Sequence, residues 1–481
     1  MATNKLSKLN WRLTFAVLAV AIGIGWKLSL TNGQLLPGID GAYYWVQVRS
    51  ILNDFDMAFD DLPLVFWIQA LFALIVGNVE LGVRISDAVL PALSAIPIYL
   101  MLKNSKQTWL PAFAILVGLL HPVQLYFFTG DFIKNAAAMP VAFFIGWILY
   151  SWGRRSTKWS LLYLFVSFVI VGLTHFGTLL LCFLLVALWA LFYLRKKPLS
   201  FWLRTGVLTL VLSSATLVAL ALLVPARFDR LVEFVTQPVT IFAAPFWQLM
   251  FLMRTDFAII YAMFIGQIGS LALGYLLWRN RKKLDSASLS LAASSLITAF
   301  LLSSPLVGIE WASRFIALSF APLLLAAIVL WQAVEQKSVK TAISLVAIST
   351  LATSLALAPS GAKPSAITDD EYKDLVVASE EFSFPDNSIV VARHGLEFLV
   401  AWEMNTHVIQ EETYLEDDLS SYESVYLLAT DGPGTSGAPK GEEAPSDKPK
   451  EVKPPGGVDS KDPASGGLVY SNGSVTITKL R

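Results

Sequence analysis

Residues 62–77, LPLVFWIQALFALIVG, decide the topology of the whole chain. As an α-helix this stretch rises about 24 Å, short of the ~30 Å of a bilayer's hydrocarbon core, yet it is apolar enough to enter one. If it crossed, every later loop would change sides. Longer apolar runs surround it, at 13–30, 83–102, 109–127, 132–152, 159–174, 177–194, 203–224, 257–278, 287–306, 313–332 and 341–358. The charges between those runs answer the question. With 62–77 not crossing and the N-terminus in the cytoplasm, five successive loops carry the basic residues inside: Lys103 and Lys106; Arg154, Arg155 and Lys158; Arg195, Lys196, Lys197 and Arg204; Arg279, Arg281, Lys282 and Lys283; and Lys337 and Lys340. That is the positive-inside pattern, and a crossing at 62–77 would invert all five loops. The reading is therefore a polytopic α-helical membrane protein with about 11 transmembrane helices, and 62–77 as an outer-leaflet half helix.

Composition agrees. Of the 481 residues 55% are hydrophobic and only 15% charged, with a mean hydropathy of +0.60; a soluble domain usually has about 25% charged residues. The 36 basic and 36 acidic side chains cancel, so nothing points to a nucleic-acid partner. The one cysteine, Cys182, lies in an apolar run, which excludes a disulfide framework or a Cys-based metal site. The run 13–30 follows Lys5, Lys8 and Arg12 but precedes no small-residue cleavage motif, so it reads as a retained span.

The transmembrane domain spans 1–360, with outer loops at 31–82 and 125–135. From 361 to 481 the pattern changes to a small extracytoplasmic α/β domain: an acidic helix over 369–382, a strand over 388–392, a helix over 395–404, a strand over 424–428 and a hairpin over 468–480 turning at Asn472 and Gly473. Residues 430–467, rich in Gly, Pro, Lys, Glu and Ser, read as a disordered insert. Asn472, Gly473 and Ser474 match a glycosylation sequon, a motif short enough to arise by chance.

Polar groups at the mouth of a membrane bundle are costly, which makes them the first functional candidates. Six groups fall on the outer side: Asp40 with Tyr43, Tyr44 and Arg49; Asp54, Asp56, Asp60 and Asp61; Arg84 and Asp87; Asp131, Lys134 and Asn135; His175; and Glu310 with Arg314. Gly38 and Gly41 bracket Asp40, a turn that can hold a carboxylate at a helix start, and a plain helix cap is the bland alternative. Asp131, Lys134 and Asn135 share a helix face, where Asp131 could equally cap the span and pair with Lys134. A lone His such as His175 at a helix end is more often structural than a ligand. Glu310 and Arg314, four residues apart, could form a simple ion pair, while Arg314 at the start of a span could meet a phosphate. His121, beside Pro122 in mid-span, reads as an interhelical hydrogen-bonder.

This constellation resembles the GT-C glycosyltransferases, and in particular the catalytic subunit of oligosaccharyltransferases. The resemblance rests on Asp40, Tyr43, Tyr44 and Arg49 opening the first outer loop, on the partial helix after it, and on the span Arg84–Lys103. It covers residues 1–150 well and the later spans loosely. A Gly followed by an acidic Asp-Asn-Glu group, used by those enzymes to bind metal, corresponds to Gly130 followed by DFIKN, where the acidic pair is not kept. The stretch 390–413 is laid out like the segment bearing their acceptor-reading Trp-Trp-Asp motif, but Ala392, Arg393 and His394 replace it, which leaves the acceptor open.

The resemblance implies a membrane glycosyltransferase using a polyprenyl-phosphate or pyrophosphate sugar, with membrane lipid as partner and a glycan, lipid or protein as acceptor. Asp40 would be the general base. Arg49, Arg84, Asp131, Lys134, Asn135, His175, Glu310 and Arg314 would line the substrate and phosphate site, and Arg393, His394 and Glu397 would be acceptor-domain candidates. A divalent metal, Mg or Mn, is an open expectation, with Asp40 and Asp131 as its ligands if one is held; a lysine can neutralise phosphate without it. The location implied is the plasma membrane. Two other classes fit some of these facts: a transporter or flippase, for which inverted repeats and broken helices are expected and neither is legible here, and a non-catalytic binding protein of the same fold.

Overall fold

In a computed structural model of the protein, the described residues are 10–130, 132–152, 157–195, 257–304, 309–357, 365–411, 421–430 and 467–481, with a few isolated positions besides. The expected span 203–224 and the insert 430–467 lie almost wholly outside them. The chain divides into two compact units, one of Met1–Leu30 with Ser50–Gly361, the other of Thr31–Arg49 with Ala362–Arg481.

The first unit is helical because lipid offers backbone N–H and C=O groups no partner, so a crossing chain must satisfy them within its own helix. Among the described residues nine helices are long and apolar enough to cross: Trp11–Leu30, Val79–Leu102, Leu110–Thr129, Ile133–Tyr150, Phe176–Tyr193, Phe257–Lys283, Ser286–Ser303, Ala312–Ala333 and Lys337–Leu357. Each coincides with an expected span, and the shorter apolar helix Lys158–Gly172 matches the run 159–174. The chain is a multi-pass membrane protein.

The deciding stretch forms a helix of 13 residues, Leu64–Val76, too short to cross. It turns back at Gly77 and Asn78, whose side chain accepts the Leu81 N–H, and packs against the next helix so closely that a Cβ on Gly82 would stand 2.3 Å from the Ala73 Cα. A parity argument confirms that it is no span. The Arg12 guanidinium, at the start of the first span, donates to the carbonyls of Lys103 (2.9 Å) and Ser105 (2.7 Å), just after the end of Val79–Leu102. The chain must therefore cross twice between residues 12 and 103; a crossing at 64–76 would put the two at opposite ends.

Other contacts bring the ends of the spans beside the loops at 151–158, 279–283 and 334–340 to that same end. Gln332 reaches the Met101 carbonyl and Tyr150, Lys283 pairs with Glu335, and the Lys340 ammonium lies 5.6 Å from the Trp331 ring centroid. Small residues let spans approach: Gly266 packs on Ser303, where an added Cβ would come within 2.4 Å of the serine Cβ.

The span Leu110–Thr129 is interrupted at His121, a break the sequence reading did not find. Pro122 has no N–H to continue the helix, and the His121 Nδ1 accepts the Val123 N–H at 3.2 Å while its ring stacks 4.8 Å from Phe320. His121 is thus a local cap and not the expected interhelical hydrogen-bonder.

The second unit is an α/β domain with a five-stranded sheet of order β2-β1-β3-β5-β4, where β1 is Ser388–Ala392, β2 His407–Gln410, β3 Ser424–Thr430, β4 Leu468–Asn472 and β5 Val475–Lys479. β1 pairs in parallel with β2 and β3, while β5 pairs antiparallel with β3 and β4. As the central parallel strand, β1 is buried along its whole length, which is why SIVVA reads as an unbroken apolar run. The acidic helix Asp369–Glu381 starts with a full capping box between Thr368 and Glu371. The helix Leu396–Met404 links β1 to β2. Thr31–Arg49, in sequence part of the first outer loop, belongs to this unit.

Candidate active site

In the second unit, Gly38 takes a left-handed φ of +93° and makes the turn that presents Asp40 just before the helix Gly41–Asp54. The Asp40 Oδ1 lies 3.7 Å from His394 Nε2, with both side chains part-exposed at 39% and 42%. The other imidazole edge is held. His394 Nδ1 is 3.2 Å from Glu397 Oε1, and the Gln410 amide nitrogen is 2.9 Å from that same Nδ1 and 2.8 Å from Glu397 Oε1. Glu397 is buried at 2% exposure, and its second oxygen has no hydrogen-bond partner. Glycine is required next to His394: Gly395 has φ +88°, and a Cβ there would come 2.9 Å from the Ile39 carbonyl. Asp40, His394 and Glu397, more than 350 residues apart in sequence at the extremes, are thus brought together.

Arg49 and Arg393 both reach backbone carbonyls of the second unit. Arg49, expected on a phosphate, donates to the carbonyls of Ala401 and Trp402, at 2.6 Å each, capping the end of Leu396–Met404, and its guanidinium lies 4.9 Å from the Trp402 ring centroid. Burial lowers its pKa and the nearby Glu403 partly offsets this; a guanidinium stays charged regardless. Arg393, expected to meet an acceptor, donates to the Ala366 carbonyl at 2.7 Å. Both serve the architecture around Asp40. Farther off, Asp374 accepts the N–H and O–H of Ser474, 2.9 Å each, which hold its pKa below the usual carboxylate value and tie the hairpin turn to the acidic helix.

In the first unit, the end opposite the basic loops carries Lys134, whose ammonium is bonded to the Asp61 carboxylate. Asp61 is 2% exposed and Lys134 20%. Lys134 also lies 5.7 Å from the Phe66 ring centroid, and the Arg314 guanidinium is 5.4 Å from that of Phe132. Asn135 is buried, with an amide nitrogen that has no partner. Arg84 is half-buried on its helix. His175 caps Phe176–Tyr193 by accepting the Thr178 N–H at 3.1 Å, which is the structural alternative for that residue. Asp131 and the Glu310 side chain lie outside the described residues. Lys134 is bonded to a carboxylate 73 positions away, and its expected pairing with Asp131 falls outside the described residues.

Sequence reasoning missed a buried group in this unit. Lys27 lies 3.4 Å from the Gln124 carbonyl oxygen, and Gln69 donates to Asp87 at 2.7 Å, with all four side chains buried. The signal was present, since a lysine near the end of an apolar run is costly unless it faces the protein interior; the reading passed over it inside the run 13–30.

Among the described residues no group of three or more His, Cys, Asp or Glu side chains could hold a metal ion. Asp40 and Glu397 approach opposite edges of one imidazole, at 3.7 and 3.2 Å, and the other expected metal ligand, Asp131, lies outside the described residues.

No protein-family profile and no curated protein matches the chain. Solved structures do. ArnT from Cupriavidus metallidurans in the apo state is similar at a TM-score of 0.54 and 13% identity, over 97% of this chain and 98% of that one. The same protein bound to undecaprenyl phosphate gives 0.53 and 12%, with the same coverage. At such identities the likeness is one of fold, and it runs the length of both chains: this protein shares the membrane fold of ArnT.

Proposed function

We propose that the protein is a membrane glycosyltransferase that moves a sugar from a polyprenyl-phosphate or pyrophosphate donor to an acceptor at the outer face of the plasma membrane. The observation carrying this reading is the full-length likeness of fold to a protein crystallised with undecaprenyl phosphate. The N-terminus and the basic loops face the cytoplasm by the positive-inside rule, and the α/β unit faces out.

The chemistry follows from the donor. Its leaving group is already a phosphate, so breaking the anomeric C–O bond needs cationic stabilisation more than an acid. The first unit holds candidates for that charge in Lys134, Arg314 and Arg84, each to be tested by its own substitution. Asp40 takes the proton of the acceptor hydroxyl as the acceptor oxygen bonds to the anomeric carbon from the opposite face, and the departing electron pair stays on the phosphate oxygen. The product is the sugar inverted on its acceptor, plus polyprenyl phosphate. No step is routed through a divalent ion.

The interrupted span at His121 is a feature a transporter would share. There, however, the Val123 N–H after the break is accepted by His121 itself, whose ring packs on Phe320, so the interruption is locally capped. The test is to load the purified protein with undecaprenyl-phosphate-linked hexose and follow the lipid. Release of undecaprenyl phosphate with sugar on an acceptor supports transfer. Binding without turnover identifies a non-catalytic binder, and movement of intact donor between leaflets identifies a flippase.

A further inference from the structure

The imidazole of His394 sits between two carboxylates, and its partners fix where its proton lies. Gln410 has one amide nitrogen within reach of both His394 Nδ1 and Glu397 Oε1. With a neutral ring, Nδ1 accepts from Gln410, which places the ring proton on Nε2. With a charged ring, Nδ1–H donates to Glu397 and Nε2 again carries a proton. The remaining tautomer would turn a bare Nε2 lone pair toward the Asp40 carboxylate, which is repulsive. Both favourable states therefore aim an N–H at Asp40 Oδ1.

We propose that His394 is a positioning residue whose Nε2–H, 3.7 Å from Asp40 Oδ1 and beyond hydrogen-bond length in this structure, closes on that oxygen when the acceptor binds, with Glu397 and Gln410 locking the ring, so that the Asp40 carboxylate is held in one orientation toward the acceptor hydroxyl. This rests on Asp40 being the base, as proposed above. The buried Glu397 makes sense only in this arrangement: on a helix beginning at Gly395, its carboxylate is turned inward to the ring and the Gln410 amide instead of outward to water. The segment bearing Asp40 is held to the same helix through Arg49 on the Ala401 and Trp402 carbonyls and through the Tyr43 ring on Phe398, 5.1 Å between centroids. Base and orienter thus share one frame. An oriented carboxylate lowers the barrier to the chemical step without adding a contact to the donor, so its loss shows in kcat and not in KM.

The test uses the full-length protein in proteoliposomes, undecaprenyl-phosphate-linked hexose as donor, a cell-envelope extract as acceptor source, and released undecaprenyl phosphate as readout. His394→Ala is expected to lower kcat about 10- to 100-fold, the worth of one hydrogen bond to a charged group, with donor KM unchanged. His394→Gln, which can place an amide N–H near the lost Nε2–H, is expected to recover most of that loss. Equal loss in both variants with unchanged thermal unfolding, or wild-type turnover in His394→Ala, overturns the inference. Asp40→Asn separates the two readings: an inactive Asp40→Asn beside a fully active His394→Ala removes only the positioning role, whereas an active Asp40→Asn removes the base itself.

Discussion

Removing Lys134 alone should cost more than removing it together with Asp61. Asp61 is 2% exposed and Lys134 20%, so Lys134→Met takes the ammonium from a carboxylate that water barely reaches, while the Leu62 N–H still donates to it. Breaking a buried pair on one side costs about 3–5 kcal/mol, and partial access at the lysine puts this case near the lower end, about 3 kcal/mol. Asp61→Asn with Lys134→Met leaves no buried charge and should regain about half of that or more. Thermal unfolding of the two single variants, the double variant and the wild type in one detergent gives the coupling directly as a double-mutant cycle. Both variants lacking Lys134 should lose affinity for undecaprenyl phosphate, whatever their stability. A double variant no more stable than Lys134→Met would refute the reasoning, because Asp61 would then have a second source of compensation. Retained phosphate affinity in both would move the donor's charge partner elsewhere.

The second unit offers further tests. Arg49→Met should destabilise it by about 1.5–3 kcal/mol, since two charge-assisted hydrogen bonds to the carbonyls of Ala401 and Trp402 go with it; Arg49→Lys should rescue little, lacking the planar fork, as denaturant unfolding would show. Gly395→Ala should lower expression and stability by more than about 1 kcal/mol, combining a positive φ with a Cβ 2.9 Å from the Ile39 carbonyl. The Asp374 carboxylate, whose pKa is lowered by Ser474, contributes stability that is present above the unfolded carboxylate pKa and lost as pH falls through the folded one. Hydrogen exchange of Ser474 should therefore rise on acidification below the normal carboxylate range, and Asp374→Asn should flatten that response.

The architecture was legible where it depends on local length and charge. Residues 62–77 declared themselves a half helix through their shortness and through the basic residues flanking the other spans, and the contact of Arg12 with Lys103 and Ser105 agrees. The hairpin at Asn472 and Gly473 followed from turn chemistry. What sequence could not supply was long-range partnership. Lys134 and Asp61 are separated by 73 positions, and Arg49 and Trp402 by 353; no local pattern marks one residue as the partner of the other. That is why Arg49 was assigned to a phosphate when helix carbonyls hold it, and why Thr31–Arg49 was counted with the membrane domain. The four-residue strand β2 left no pattern of its own and was foreseen only as the closing strand in the layout of 390–413. Asp40 and His394 were each singled out for a different task, and nothing local in the sequence marked their approach to 3.7 Å.

The most direct test of the central claim is transfer itself. Full-length wild-type protein in proteoliposomes, given undecaprenyl-phosphate-linked hexose and a cell-envelope acceptor fraction, should release undecaprenyl phosphate in step with sugar appearing on the acceptor, and Asp40→Asn should bind the donor equally well but release nothing above background. Donor bound and returned intact by the wild type, or equal release by Asp40→Asn, would contradict the account.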